Sequence, residues 1–159
     1  MKALIFIAGL FLSLGITAQT YVYSNQNRYF GDMICNVQNG HIIEGNSNMW
    51  SDAILTVGNN KIFKGFSTST FDVLYTLHEG GLFAGESTFS FDMLYTIKNG
   101  KIYKGNSTMM MDCLFRYDNN SNAVYKGDST FAMDAVLFLQ GDALSSAELA
   151  ALLLALGYL

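Results

Sequence analysis

The 159-residue chain has no proline, two cysteines, two histidines, and nine basic side chains against thirteen acidic ones. Each shortage removes a class of function. With a net charge of −4, a pI of about 4.9 and no Lys/Arg cluster, it lacks the basic face that nucleic acid or an anionic membrane surface requires. Two cysteines allow one bridge at most. Cys35 and Cys113 share strand parity in the repeat described below, so they can bridge if the first and fifth units are neighbours in space; two buried free thiols is the other reading. His41 and His78 fall at hairpin edges, where they read as solvated, and no third ligand accompanies either, so no metal centre is expected.

Long apolar runs are also scarce. Lys2 precedes one, Ala3 to Leu14, and the small residues to Ala18 lead into polar Gln19-Thr20. That is the layout of a secretory signal, residues 1–18, with cleavage expected after Ala18. The run falls short of the ~20 apolar residues that a membrane span needs. The mature chain is therefore expected to be exported, to periplasm, cell surface or medium, with no stable transmembrane segment.

What the chain does have is repetition. Asp recurs every twenty residues at Asp32, Asp52, Asp72, Asp92 and Asp112, then after twenty-two at Asp134. Gly45, Gly65, Gly85, Gly105 and Gly127 keep the same beat, as do Ser47, Ser67, Ser87, Ser107 and Ser129. In the clearest unit, β-prone Leu94 to Ile97 and Lys101 to Lys104 flank Asn99-Gly100, which suits a type I′ hairpin turn. Opposite residues should share a face, Ile97 with Ile102 and Thr96 with Tyr103. The extra residues of the fifth unit fall within Asp118 to Asn122, at a hairpin tip, where insertions are tolerated.

The fold expected is an all-β repeat of about five tandem hairpins, residues 19–142, their apolar linkers pointing inward to a common core. Residues 143–159 form a separate apolar helix. There Ser145 to Glu148 fits a capping box, and Leu149 to Leu156 is apolar nearly all round, as a buried cap or plug would be. The hairpins can stack as an open solenoid or close into a ring. Tyr21-Val22-Tyr23 is half a unit, and so is Ala135 to Leu139; the two halves would complete one another across the termini, which favours the ring.

Units of the form Lys101 to Thr108, then Asp and Leu-Tyr-Thr-Ile, before a Leu/Ala-rich final helix, resemble the bacterial proteins described as five-fold β-flowers. The resemblance covers about Tyr21 to Leu139. It implies hairpin petals about an axis and no established activity. The first unit departs most, with Asn36-Val37-Gln38 in place of the Thr-centred strand and Glu44 in place of Lys.

Chemistry is sparse. The repeated Asp side chains precede strands, where they can accept turn N–H groups, and they lack the dense oxygen set of a calcium loop. The repeated serines have no particular base beside them, so neither catalysis nor a cofactor is expected. The remaining candidates are aromatic. If Tyr75, Tyr95, Tyr103 and Trp50 face solvent, they could bind glycan or a cell-surface protein multivalently; otherwise they are core or cross-strand pairs. A non-enzymatic structural or interaction module is the leading expectation, with a multivalent glycan or surface-ligand binder as the alternative.

Overall fold

The computed structural model describes residues 19–159; the expected signal segment, 1–18, lies outside the described residues. Twelve antiparallel strands form one closed barrel: β1 Gln19–Tyr23, β2 Met33–Gln38, β3 His41–Glu44, β4 Ala53–Gly58, β5 Lys61–Lys64, β6 Val73–His78, β7 Gly81–Ala84, β8 Met93–Lys98, β9 Lys101–Lys104, β10 Cys113–Asp118, β11 Ala123–Lys126 and β12 Ala135–Gly141. A single helix follows, α1 Ser146–Ala155. Each strand pairs with its neighbours in sequence, and β12 pairs with β1, Val22 opposite Leu139 and Tyr23 opposite Phe138. The ring is closed, as the two half-units imply. Five complete hairpins and this sixth, split one make six petals rather than five.

Turn chemistry sets four of the five tips. Asn39-Gly40, Asn59-Asn60, Glu79-Gly80 and Asn99-Gly100 all take the paired positive φ of a type I′ turn. The register beyond each tip is the expected one, Ile97 opposite Ile102 and Thr96 opposite Tyr103. At the seam Gly141 has φ +131°, and a Cβ there would strike the Gln19 carbonyl, so closure requires glycine.

Alternate residues point inward. Val22, Val37, Ile42, Ile62, Leu82, Ile97, Ile102, Val124, Leu137 and Leu139 line the lumen, all nearly or wholly buried. A barrel of eight strands is narrow enough for its own side chains to fill; twelve strands enclose more. Helix α1 supplies the missing material. Leu149 to Leu153 are five consecutive residues of at most 1 % exposure, more than one turn, so the helix is buried on every side. Its start is fixed by the expected capping box: Ser145 Oγ accepts from Glu148 N, and the Glu148 carboxylate accepts from Ser145 N.

Two readings of facing fail here. The core is built of strands and helix, not of linkers: the linker side chains Met49, Phe71, Phe89, Phe91, Met109, Met111, Phe131 and Met133 are all exposed. The cysteines are two buried free thiols, as the second reading has it, but they do not face the same way. Parity misplaces them because every even-numbered strand carries a bulge one residue after its first position, between Cys113 and Phe115 in β10. The bulge turns Cys113 to the outer wall opposite Tyr103, whereas Cys35 faces the lumen beside Val22. Burial pushes the Cys35 thiol up to about 12, leaving it inert.

Two substitutions probe this frame. Leu152→Ala should destabilise the protein by about 2–5 kcal/mol, because the packed lumen cannot collapse on the cavity; a urea midpoint measures it. Glu79 sits at φ +48° where three other tips have Asn. Glu79→Asn should therefore raise stability, by up to about 1 kcal/mol, by relieving a left-handed conformation that costs most residues roughly 1–2 kcal/mol. The exposed His78–Glu79 contact at 3.8 Å that it removes contributes little.

Candidate functional site

All six linkers leave the barrel at the end opposite the tips. Each of the last five begins with a glycine of φ +58° to +65°, at Gly45, Gly65, Gly85, Gly105 and Gly127, where the chain folds back. The following Ser accepts the N–H two residues on, Met109 N to Ser107 Oγ at 3.1 Å, for example, and donates its hydroxyl to the Asp that closes the linker. Ser47–Asp52, Ser67–Asp72, Ser87–Asp92, Ser107–Asp112 and Ser129–Asp134 are joined at 2.5–2.6 Å. The repeated Asp is thus a turn residue, though it accepts a hydroxyl where a backbone N–H was expected; the Ser takes the N–H.

The strands hold the linkers down. Thr56, Thr76 and Thr96 donate to the carbonyls of Gly65, Gly85 and Gly105 at 2.6–2.7 Å. Asn36, the departure in the first unit, does the same with two bonds, to Gly45 O at 3.1 Å and Ser47 O at 2.9 Å. Some linkers also reach the preceding hairpin through the residue after their glycine. Glu86 meets Lys61, and Asp128 meets Lys101 at 2.6 Å as well as Arg116 of its own hairpin at 3.5 Å. The Lys101 ammonium beside it holds the Asp128 carboxyl below the usual range. Across the seam Arg28 donates to Ser121 O at 3.2 Å.

With glycine, serine, threonine and aspartate satisfying the linkers, their apolar side chains have no part in holding them. Phe71, Phe91, Met111 and Met133 are 88–99 % exposed. Tyr29, Phe30, Met49, Phe89, Met109, Met110 and Phe131 are 65–75 % exposed. Scattered apolar residues are ordinary on a surface, but here every linker contributes to one exposed apolar crown.

The aromatic candidates separate. Tyr103 is buried on the outer wall, and Tyr75 and Tyr95 are half-buried against the core, so these three rings form no solvent-facing set. Trp50 is different: it is 49 % exposed and stacks on His41 at 5.5 Å and Phe66 at 6.0 Å. His41 is accordingly half-buried rather than solvated, and its Nδ1 lies 2.9 Å from Thr56 Oγ1. The Thr56 hydroxyl gives its single proton to Gly65 O, so it accepts from His41, whose Nδ1 carries hydrogen and whose Nε2 is free. Phe66 was missed in the sequence because its slot holds Asn46, Glu86, Asn106 and Asp128 elsewhere.

A cleft of about 350 Å³ lies at the tip end, between Asn60, His78 to Gly80 and the start of the helix at Ser145 to Ala147. Among the described residues no group of three or more His, Cys, Asp or Glu is placed to hold a metal ion.

Residues 19–152 match a family model described as 6-fold beta flower protein, and the chain belongs to that family. No curated protein and no solved structure matches it.

Burial lowers the His41 pKa below the ordinary 6.5. Protonated imidazole quenches a stacked indole, so Trp50 emission should fall as pH drops, with a midpoint below 6.5. The titration should vanish in His41→Gln; a midpoint above 6.5, or one that survives the substitution, would contradict the stacking.

Proposed function

We propose, from its place in the 6-fold beta flower family, that the chain is an exported, non-enzymatic interaction module that docks through the apolar crown of its linkers. The observation that carries this reading is the near-complete exposure of Phe71, Phe91, Met111 and Met133 on linkers whose conformation depends on other residues. Fully exposing such side chains is unfavourable by roughly 1.5–3 kcal/mol each relative to burial, which a partner would recover. The rigid barrel lowers the ordering cost of docking, and its lack of sheet edges leaves the linkers as the contact elements.

The non-enzymatic part rests on where the reactive residues go. Each repeated Ser is bonded to its Asp and to a backbone N–H, the same way five times over, and so is committed to structure. Export is supported by Lys2 and the apolar run that follows it. Among the described residues no helix is long and apolar enough to cross a membrane.

The test compares residues 19–159 with the variant Phe71→Ser/Phe91→Ser/Met111→Ser/Met133→Ser, by sedimentation and by flotation with phosphatidylcholine vesicles. The natural protein is expected to self-associate or float and the variant to do neither, at an unchanged urea midpoint. A natural protein that stays monomeric and vesicle-free, indistinguishable from the variant, would sink the docking reading.

A further inference from the structure

Six-fold repetition makes its exceptions informative. In two petals the contact between a linker and the preceding hairpin is an ion pair, Lys61–Glu86 and Lys101–Asp128. The equivalent contact between the first hairpin and the third linker is His41 against Phe66, ring centroids 5.4 Å apart. Trp50, from the second linker, joins both, in a slot that holds Phe30, Thr70, Ser90, Met110 and Ala132 in the other petals. An ion pair is enough to seat a linker, so the fold does not require three rings here. The rings nonetheless stay accessible, Trp50 at 49 % and Phe66 at 50 %.

We propose that His41, Trp50 and Phe66 form a saccharide-binding platform that takes one pyranose ring of a β-linked glycan. Three features select this ligand class. Trp50 stacks on His41 and on Phe66 at interplanar angles of 29° and 25°, and His41 and Phe66 are tilted by 41°, with all centroids 5.4–6.0 Å apart, so the rings form one clustered surface rather than a box. A box of steeply inclined rings would suit a quaternary ammonium; the half-exposed rings of Trp50 and Phe66 suit the flat C–H face of a sugar with equatorial hydroxyls. The second feature is a polar handle at the edge of that surface. Neutral His41 presents Nε2 as an acceptor, in reach of a hydroxyl on a ring seated beside it. The third is preorganisation: the relay from His41 Nδ1 through Thr56 to Gly65 O fixes the imidazole and the third linker together.

The site adjoins the apolar crown, since Met49 precedes Trp50 and the Trp50 slot holds Phe30 and Met110 in other petals, and differs from it in chemistry. It is also single, because the Tyr residues first considered for a repeated site are buried or half-buried. One shallow platform implies weak binding, with a Kd on the order of 1 mM, the regime of only a few contacts.

Trp50 is the chain's sole tryptophan, so its emission reads the platform directly. Residues 19–159 are titrated with cellohexaose and with chitohexaose. A saturable change in Trp50 emission with at least one of them is expected. The control is His41→Lys/Phe66→Glu, which installs the pair that Lys61 and Glu86 already form one petal on and so keeps the linker seated. It retains Trp50 and should fold with an unchanged thermal midpoint, yet show no saturable response. The crown variant with four serines should bind as the natural protein does, which separates failure of this site from failure of the docking face. No saturable change with either glycan overturns the proposal. So does a response of equal strength in His41→Lys/Phe66→Glu.

Discussion

Filling the lumen is the constraint on which the rest of the molecule depends. Twelve short strands enclose more space than one inward residue per strand position can occupy. The helix from Ser146 to Ala155 occupies it, and this accounts for a sequence that makes no sense as a surface helix. Leu149, Ala150, Ala151, Leu152 and Leu153 bury every face because every face meets a strand. The alanines matter as much as the leucines, since they let the helix backbone approach the wall. Closure and filling are mutually dependent. Without the β12–β1 seam the helix would have an open side, and without the helix the ring would surround a void.

A filled, closed barrel divides its sequence cleanly by task. Inward strand positions serve the core, and Asn or Gly at the tips serves the turn. Outward threonines tether the linkers through glycine carbonyls, and Ser with Asp shapes them. Each task consumes the polar groups that might otherwise do chemistry. What remains unassigned is the apolar content of the linkers, and its exposure marks the part of the sequence not needed to make the fold.

Much of the architecture was legible because the signals were local or came in matched halves. Asn99-Gly100 specifies its own turn, Ser145 and Glu148 specify the helix start, and two orphan half-units imply a seam. Seen alone, each half is easily left uncounted, and the sixth petal was lost with them. The linkers were not legible. Met111 and Phe91 sit within single 3₁₀ turns, where neither a period of 2 nor one of 3.6 says which way a side chain points. The facing of the cysteines was misread for a related reason. The bulge before Phe115 inserts a residue without any mark in composition and reverses the parity from which the facing of Cys113 was read.

The site around Trp50 shows what a repeat can disclose that a single domain cannot. In an ordinary fold, an aromatic cluster beside a loop is read as packing, and nothing on hand contradicts that reading. Here the equivalent side-chain contact is made again by Lys61 with Glu86 and by Lys101 with Asp128, so the molecule carries its own controls. They show that seating a linker demands complementarity and not aromaticity. Asn36 makes the complementary point from the other side. It looks like a departure, yet it restores the bonds to the linker that threonine makes elsewhere, and is therefore structural. One exception preserves the common contact with different atoms; the other makes it with rings where an ion pair serves elsewhere and adds Trp50 to them. That difference, rather than the presence of aromatics, is the reason to assign His41, Trp50 and Phe66 to a ligand.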